Sequence, residues 1–152
     1  MPAERSSASP GFVLSAAVAI LSLAAISSAS AQCVDPPQRG NWVNTDHSTR
    51  SITRAQLEFT CIDVVFPGQP RPPAWHVHLF GRCHPFDCDW GRVPATEAPR
   101  GVIHASYDQG FATRAVRIQS AAGGLISVRV STHYRDGRRD NMTIDLMERA
   151  PF

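Results

Sequence analysis

The chain has 152 residues, with 15 basic and 13 acidic side chains, so its formal net charge at pH 7 is +2. All the basic residues are arginines, which excludes Schiff-base chemistry and a phosphate-loop lysine. This near-balance of charge does not favour a general nucleic-acid or membrane binder, because that role needs a basic face with many phosphate contacts. We therefore expect no nucleic-acid partner and no stable membrane insertion of the mature chain.

Residues 1–31 have the pattern of a secretory signal peptide. Arg5 precedes an apolar run over residues 11–26, and the segment closes on the small residues A-S-A at positions 29–31. Signal peptides share such a positive start, short apolar stretch and small-residue end, and the run is shorter than the about 20 apolar residues that span a bilayer. We expect cleavage after residue 31, which leaves a single domain over residues 32–152 in the periplasm or outside the cell.

Four cysteines follow the signal segment, at Cys33, Cys61, Cys83 and Cys88. An even number of cysteines in an exported chain implies two disulfides, for which three pairings are possible. We favour a bond between Cys83 and Cys88, which would shape a short turn. That choice leaves Cys33 to bond with Cys61, which would pin the N-terminal arm to the region of the second predicted strand.

The C-terminal half predicts four strands joined by short turns. The runs lie at residues 101–108, 112–119, 125–134 and 141–148. Their side chains alternate between two faces, which is the period of a strand. Asp136 and Gly137 favour a tight turn between the last two runs, so we expect an antiparallel meander.

The N-terminal half predicts four more strands in a less regular pattern. These runs lie at residues 41–44, 53–59, 75–80 and 90–96, and a proline-rich loop covers residues 67–73. Eight short antiparallel strands fit an up-and-down β-barrel, which removes exposed sheet edges, and a β-sandwich is the alternative. An eight-stranded barrel is either filled by its own side chains or holds one small ligand.

The sequence GRCHPFDCDWG at residues 81–91 gathers side chains that ligate metals. His76 and His78 lie two apart on a predicted strand, and His84 and Asp87 follow. His76 and His78 together with either Asp87 or His84 would suffice for a zinc site, which is our alternative interpretation. We favour a disulfide-closed turn without a cofactor, because cysteines of an exported chain oxidise before they meet much free zinc.

Three motifs are similar to those of a group of small exported bacterial proteins of uncharacterised function. They are G-x-W-x-N at residues 40–44, C-H-P-x-D-C-D-W-G at residues 83–91 and Y-D-x-G-F-A-T at residues 107–113. The resemblance spans nearly all of the chain after residue 31. It implies an exported protein and brings no known activity with it.

The first predicted strand also resembles that of avidin-like barrels and, more distantly, lipocalins, whose first strand begins G-x-W. In avidins an Asn two residues after this Trp and a Ser four residues further on lie at the ligand, and the matching positions are Asn44 and Ser48. The resemblance implies a barrel with one end open to a small ligand. The tryptophans that wall the avidin pocket have no counterparts in the last two predicted strands, so we do not expect biotin as the ligand.

We expect a secreted or periplasmic module that binds a small molecule or a protein partner, and not an enzyme. The sequence has no G-x-S-x-G elbow and no unpaired catalytic cysteine. A barrel with a filled interior that serves as a structural or partner-binding body is the alternative, because both kinds of barrel obey the same alternation. The side chains that we expect to line a pocket are Asn44, Ser48, Trp75, His76, His78 and Trp90.

Overall fold

The computed structural model of the chain describes residues 33–62 and 66–151. In these residues eight strands close an antiparallel barrel, in which each strand pairs with its neighbours in sequence and the first pairs with the last. The predicted up-and-down barrel is therefore confirmed, whereas the predicted signal peptide lies outside the described residues. The strands are β1 (Gly40–Asn44), β2 (Ile52–Phe59), β3 (Trp75–Gly81), β4 (Cys88–Ala98), β5 (Val102–Asp108), β6 (Ala112–Ser120), β7 (Ile126–Tyr134) and β8 (Asn141–Arg149).

Alternation along each strand decides which side chains fill the barrel. On β3, Trp75, Val77 and Leu79 are at most 1% exposed and face inward, while His76 and His78 are partly exposed on the outer surface. Successive side chains of a strand lie on opposite faces, so one apolar set is buried and the other set meets solvent. The same rule places Val116 and Ile118 of β6 and Val128 and Val130 of β7 in the core.

The two ends of the barrel differ. The open end carries the loops at residues 45–51, 82–87, 109–111 and 135–140. The opposite, closed end is filled by packed side chains whose polar atoms are bonded. There the Trp42 indole donates to the Gln38 carbonyl at 2.8 Å, and the Gln38 amide donates to the Gly101 carbonyl at 3.1 Å. Beside them, the Trp75 indole donates to Glu97 at 2.7 Å.

Both predicted disulfides are present. Cys33 is bonded to Cys61, just after β2 at the closed end, and Cys83 is bonded to Cys88 across the β3–β4 loop at the open end. Two disulfides are consistent with a chain that folds in an oxidising compartment. No helix in the described part of the chain is long and apolar enough to cross a membrane.

The inward face of β8 is the more polar of its two faces. Asp145 and Met147 are buried and Thr143 is half-buried, whereas Met142, Ile144 and Leu146 are about half exposed on the outside. The register explains this choice, because β8 pairs with β7 so that Thr143 faces Val130 and Asp145 faces Val128. Directly opposed residues lie on the same face of the sheet, so Thr143 and Asp145 face inward together with the buried Val130 and Val128.

Candidate ligand-binding cavity

A cavity of about 420 Å³ opens at the open end of the barrel. It lies above the packed core of the closed end, and its walls come from the upper parts of β3, β4, β6, β7 and β8 and from the loops between them. This volume falls within the range of about 300–1,000 Å³ that is usual for small-molecule sites. Its chemistry is set chiefly by Ser51, Trp90, Phe111, Arg114, Tyr134 and Thr143.

Trp90 forms one wall of the cavity. Its ring lies against Gly81 of the neighbouring strand, where an added Cβ would come within 2.7 Å of the indole Nε1. The ring also meets Tyr107 edge-on, with ring centres 5.7 Å apart. The absence of a side chain at Gly81 therefore makes the space that the indole occupies.

Tyr107 supports Trp90 from below. It is 1% exposed, and its hydroxyl donates to the Val77 carbonyl at 2.8 Å. Burial raises the pKa of Tyr107 well above its ordinary value, because the phenolate would lose its hydration. Tyr107 is therefore a neutral, buried support for the Trp90 ring.

Arg114 is a cation in the cavity wall. It occupies an inward position of β6, in phase with the buried Val116 and Ile118. Its guanidinium carbon lies 4.0 Å from the centre of the Trp90 ring and 5.9 Å from that of Phe111. At such distances the negative face of an aromatic ring attracts a cation.

No carboxylate of the described residues forms an ion pair with Arg114. Its Nε is buried and has no hydrogen-bond partner in the described part of the chain. Leaving a buried donor unsatisfied costs about 1–3 kcal/mol, so such groups are uncommon in folded proteins. Burial also lowers the pKa of Arg114, although a guanidinium stays charged in proteins.

Arg138 stands at the rim of the cavity and differs from Arg114 in having a partner. Its guanidinium carbon lies 4.2 Å from the Tyr134 ring centre and 5.4 Å from that of Phe111. The same guanidinium pairs with Asp136 at 2.7 Å, which raises the pKa of Arg138 and lowers that of Asp136. Its charge is therefore already balanced within the β7–β8 hairpin.

At the open end, Arg135 joins the tip of the β5–β6 hairpin to that of the β7–β8 hairpin, and we call this set of bonds the Arg135 clamp. Its guanidinium donates to both carboxylate oxygens of Asp108 at 2.9 Å, to the Gly110 carbonyl at 3.0 Å and to the Thr113 hydroxyl at 2.8 Å. The bonds from Arg135 to Asp108, together with one from the Gly110 N–H, lower the pKa of Asp108. The backbone N–H of Arg135 donates to the Phe111 carbonyl at 2.9 Å, so the clamp also fixes the loop that carries this aromatic wall.

A buried polar cluster joins β1, β2 and β8 below the cavity-lining residues Ser51 and Thr143. Asn44 donates to the Ile52 carbonyl at 2.6 Å and to Asp145 Oδ1 at 2.8 Å, and Thr49 donates to the same oxygen at 3.2 Å. Oδ2 of Asp145 is buried without a hydrogen-bond partner among the described residues. Asn44 is thus used to join β1, β2 and β8, and it does not line the cavity.

Of the six predicted pocket residues, the structure places Trp90 at the cavity. Trp75 is buried in the core near the closed end, and Ser48 is exposed in the β1–β2 loop, where it is bonded to Asp46. His76 and His78 face outward, because they alternate with the buried residues of β3. The residues predicted to share one pocket are therefore distributed over the cavity, the core, a loop and the outer surface.

Two residues of the alternative zinc site, His78 and Asp87, have other polar partners. His78 Nε2 lies 2.5 Å from Asp89, whose pKa is lowered by the Gly91 N–H and by His78. Asp87 accepts a hydrogen bond from Thr53 at 2.7 Å. Within the residues that the structure describes, no three His, Cys, Asp or Glu side chains lie together as a metal site.

Sequence reasoning missed Arg114, Phe111 and Tyr134 as cavity residues. A signal for Arg114 was present, because it has the phase of Val116 and Ile118 and is therefore a charged residue on the apolar face of its strand. Phe111 gave no such signal, since it lies in a loop and its position depends on contacts with another hairpin.

Trp90, Phe111 and Tyr134 form an apolar surface beside Arg114, whose positive charge pairs with no carboxylate of the described residues. Such a surface suits a small molecule, because ligand sites are mostly apolar and carry a few placed polar groups. The resemblances of short motifs to small exported bacterial proteins and to avidin-like barrels remain predictions. Comparisons of the chain with protein-family models, with curated proteins and with solved structures found no match.

Proposed function

We propose that this protein is an exported barrel that binds a small molecule in its open-end cavity and is not an enzyme. The observation that supports this function most strongly is the combination of a filled closed end with a cavity of about 420 Å³ above it. An eight-stranded barrel has room for one small ligand when side chains leave part of it empty.

The construction of the cavity supports the same proposal. Its walls are held in place before any ligand arrives, by the Cys83–Cys88 disulfide on one side and by the Arg135 clamp on the other. Preorganised walls favour binding, because less conformational freedom is lost when the ligand enters. Periplasmic or extracellular location follows from the predicted signal peptide, with which the two disulfides agree.

A blocking substitution tests this function. Asn141 lines the cavity mouth and is exposed, and the next residue, Met142, is exposed on the outer face of the same strand. Asn141→Trp should fill the mouth, whereas Met142→Trp adds the same side chain outside and serves as the matched control. The probe is 2-naphthamide, a flat neutral aromatic, and its affinity is measured by isothermal titration calorimetry.

We expect the wild type and Met142→Trp to bind 2-naphthamide with equal affinity and Asn141→Trp to bind it at least about tenfold more weakly. Circular dichroism of both variants checks that the barrel is folded. Equal binding by all three proteins would contradict the proposal, because it would place the probe site away from the cavity.

A further inference from the structure

We propose that the ligand is an organic anion, a carboxylate on a flat apolar body, and that its carboxylate pairs with Arg114. This inference rests on the proposed ligand-binding function and goes beyond it by naming the chemical class of the ligand. The observation behind it is the partly buried guanidinium in the cavity wall that no described residue neutralises.

The charge around the cavity favours an anion. Besides Arg114, two further arginines, Arg50 and Arg82, line it. Asp89 is the acidic residue of the lining, and its carboxylate is already engaged 2.5 Å from His78 Nε2. A cleft with an excess of one charge concentrates ligands of the opposite charge.

Arg114 is better suited to hold the anion than Arg82 is. The Arg82 guanidinium donates to the carbonyls of Thr49 at 3.1 Å and His47 at 2.7 Å, so these donors are used to anchor the β1–β2 loop. No described residue accepts a hydrogen bond from Arg114. A guanidinium matches a planar carboxylate with two parallel hydrogen bonds, and charge-assisted bonds of this kind are roughly twice as strong as neutral ones.

The aromatic residues favour a flat body beside the carboxylate. The Arg114 guanidinium lies over the Trp90 ring, and Phe111, Tyr134 and Val130 add apolar surface to the wall. Aromatic rings present large rigid surfaces on which a planar ligand packs with little loss of side-chain freedom. An aromatic carboxylate would satisfy both the unpaired cation and the apolar wall.

A pair of probes of nearly equal shape tests the inference. 2-Naphthoate carries a negative charge at neutral pH, whereas 2-naphthamide has the same ring system and no charge. Both are titrated calorimetrically into the full mature chain, in buffer free of phosphate and carboxylates. The variants are Arg114→Gln, which removes the charge, and Arg114→Lys, which keeps the charge but loses the planar fork.

The matched control is Arg117→Gln, which removes one positive charge from the outer face of the same strand. We expect the wild type and this control to prefer 2-naphthoate over 2-naphthamide by about 10-fold to 100-fold, the range for a hydrogen-bonded charge. The preference should disappear in Arg114→Gln and be intermediate in Arg114→Lys. Unchanged affinity of Arg114→Gln for 2-naphthamide would show that its cavity is intact.

Two results would overturn the inference while the ligand-binding function stands. One is equal affinity of the wild type for the two probes, and the other is a preference for 2-naphthoate that survives in Arg114→Gln. Failure of the wild type to bind either probe would overturn both proposals.

Discussion

Trp90 owes its place in the cavity wall to a neighbouring residue without a side chain. Gly81 is a glycine for reasons of space, since a Cβ there would meet the indole at 2.7, 3.0 and 3.1 Å. Because Arg114 rests on the same indole ring, the position of the cation depends on this glycine as well. A single strand residue thereby influences both the shape and the charge of the cavity.

Gly81→Ala should displace the Trp90 ring and destabilise the fold by about 1–3 kcal/mol, the usual cost of overpacking. The free energy of unfolding is measured in urea, and the ring environment is followed by tryptophan fluorescence. The control is the same substitution made in a Trp90→Phe background, where the smaller ring leaves room for the methyl group. An equal cost in both backgrounds would show that the two residues are not coupled.

The sequence predicts for some strands, and not for others, which side chains face the barrel interior. The outward direction of His76 and His78 follows from their alternation with Trp75, Val77 and Leu79, so their exclusion from the barrel interior was readable. The inward face of β8 was not readable in this way, because alternation alone would turn the apolar Met142, Ile144 and Leu146 inward, whereas these residues lie on the outside. Its register with β7 decides which face is buried.

At the scale of elements, each end of the barrel carries one disulfide bond. The Cys33–Cys61 bond joins residues 28 apart and ties the N-terminal arm to the segment after β2. The Cys83–Cys88 bond joins residues only five apart, and both of its cysteines line the cavity. The first bond therefore contributes more to stability, whereas the second contributes more to the shape of the cavity.

Removing each disulfide by paired Cys→Ala substitutions should separate these two roles. By chain entropy alone, loss of Cys33–Cys61 costs about 3–4 kcal/mol and loss of Cys83–Cys88 costs about 2 kcal/mol. Affinity for 2-naphthamide should fall only in the Cys83/Cys88 variant, because its bond shapes a cavity wall. Unfolding in urea and calorimetric titration measure the two effects, and a loss of affinity confined to the Cys33/Cys61 variant would contradict this division.

At the scale of the whole molecule, the barrel was predictable because each strand pairs with its neighbours along the chain. Local alternation and turn residues then suffice to predict the topology. The cavity was not predictable, since its presence depends on how side chains from several strands fill one volume. The buried Trp42 and Trp75 fill the closed end, and the open end keeps a gap between Trp90 and β8.

The most direct test of the central claim, that the open-end cavity is the ligand site, is a chemical-shift map of the ¹⁵N-labelled protein titrated with 2-naphthoate. We predict that the amides of the loops at residues 82–87, 109–111 and 135–140 and that of Arg114 shift together along one binding curve. Amides at the closed end, such as those of Gln38 and Gly101, should stay in place. Shifts confined to the closed end or to the outer surface, or no shifts at all, would contradict the claim.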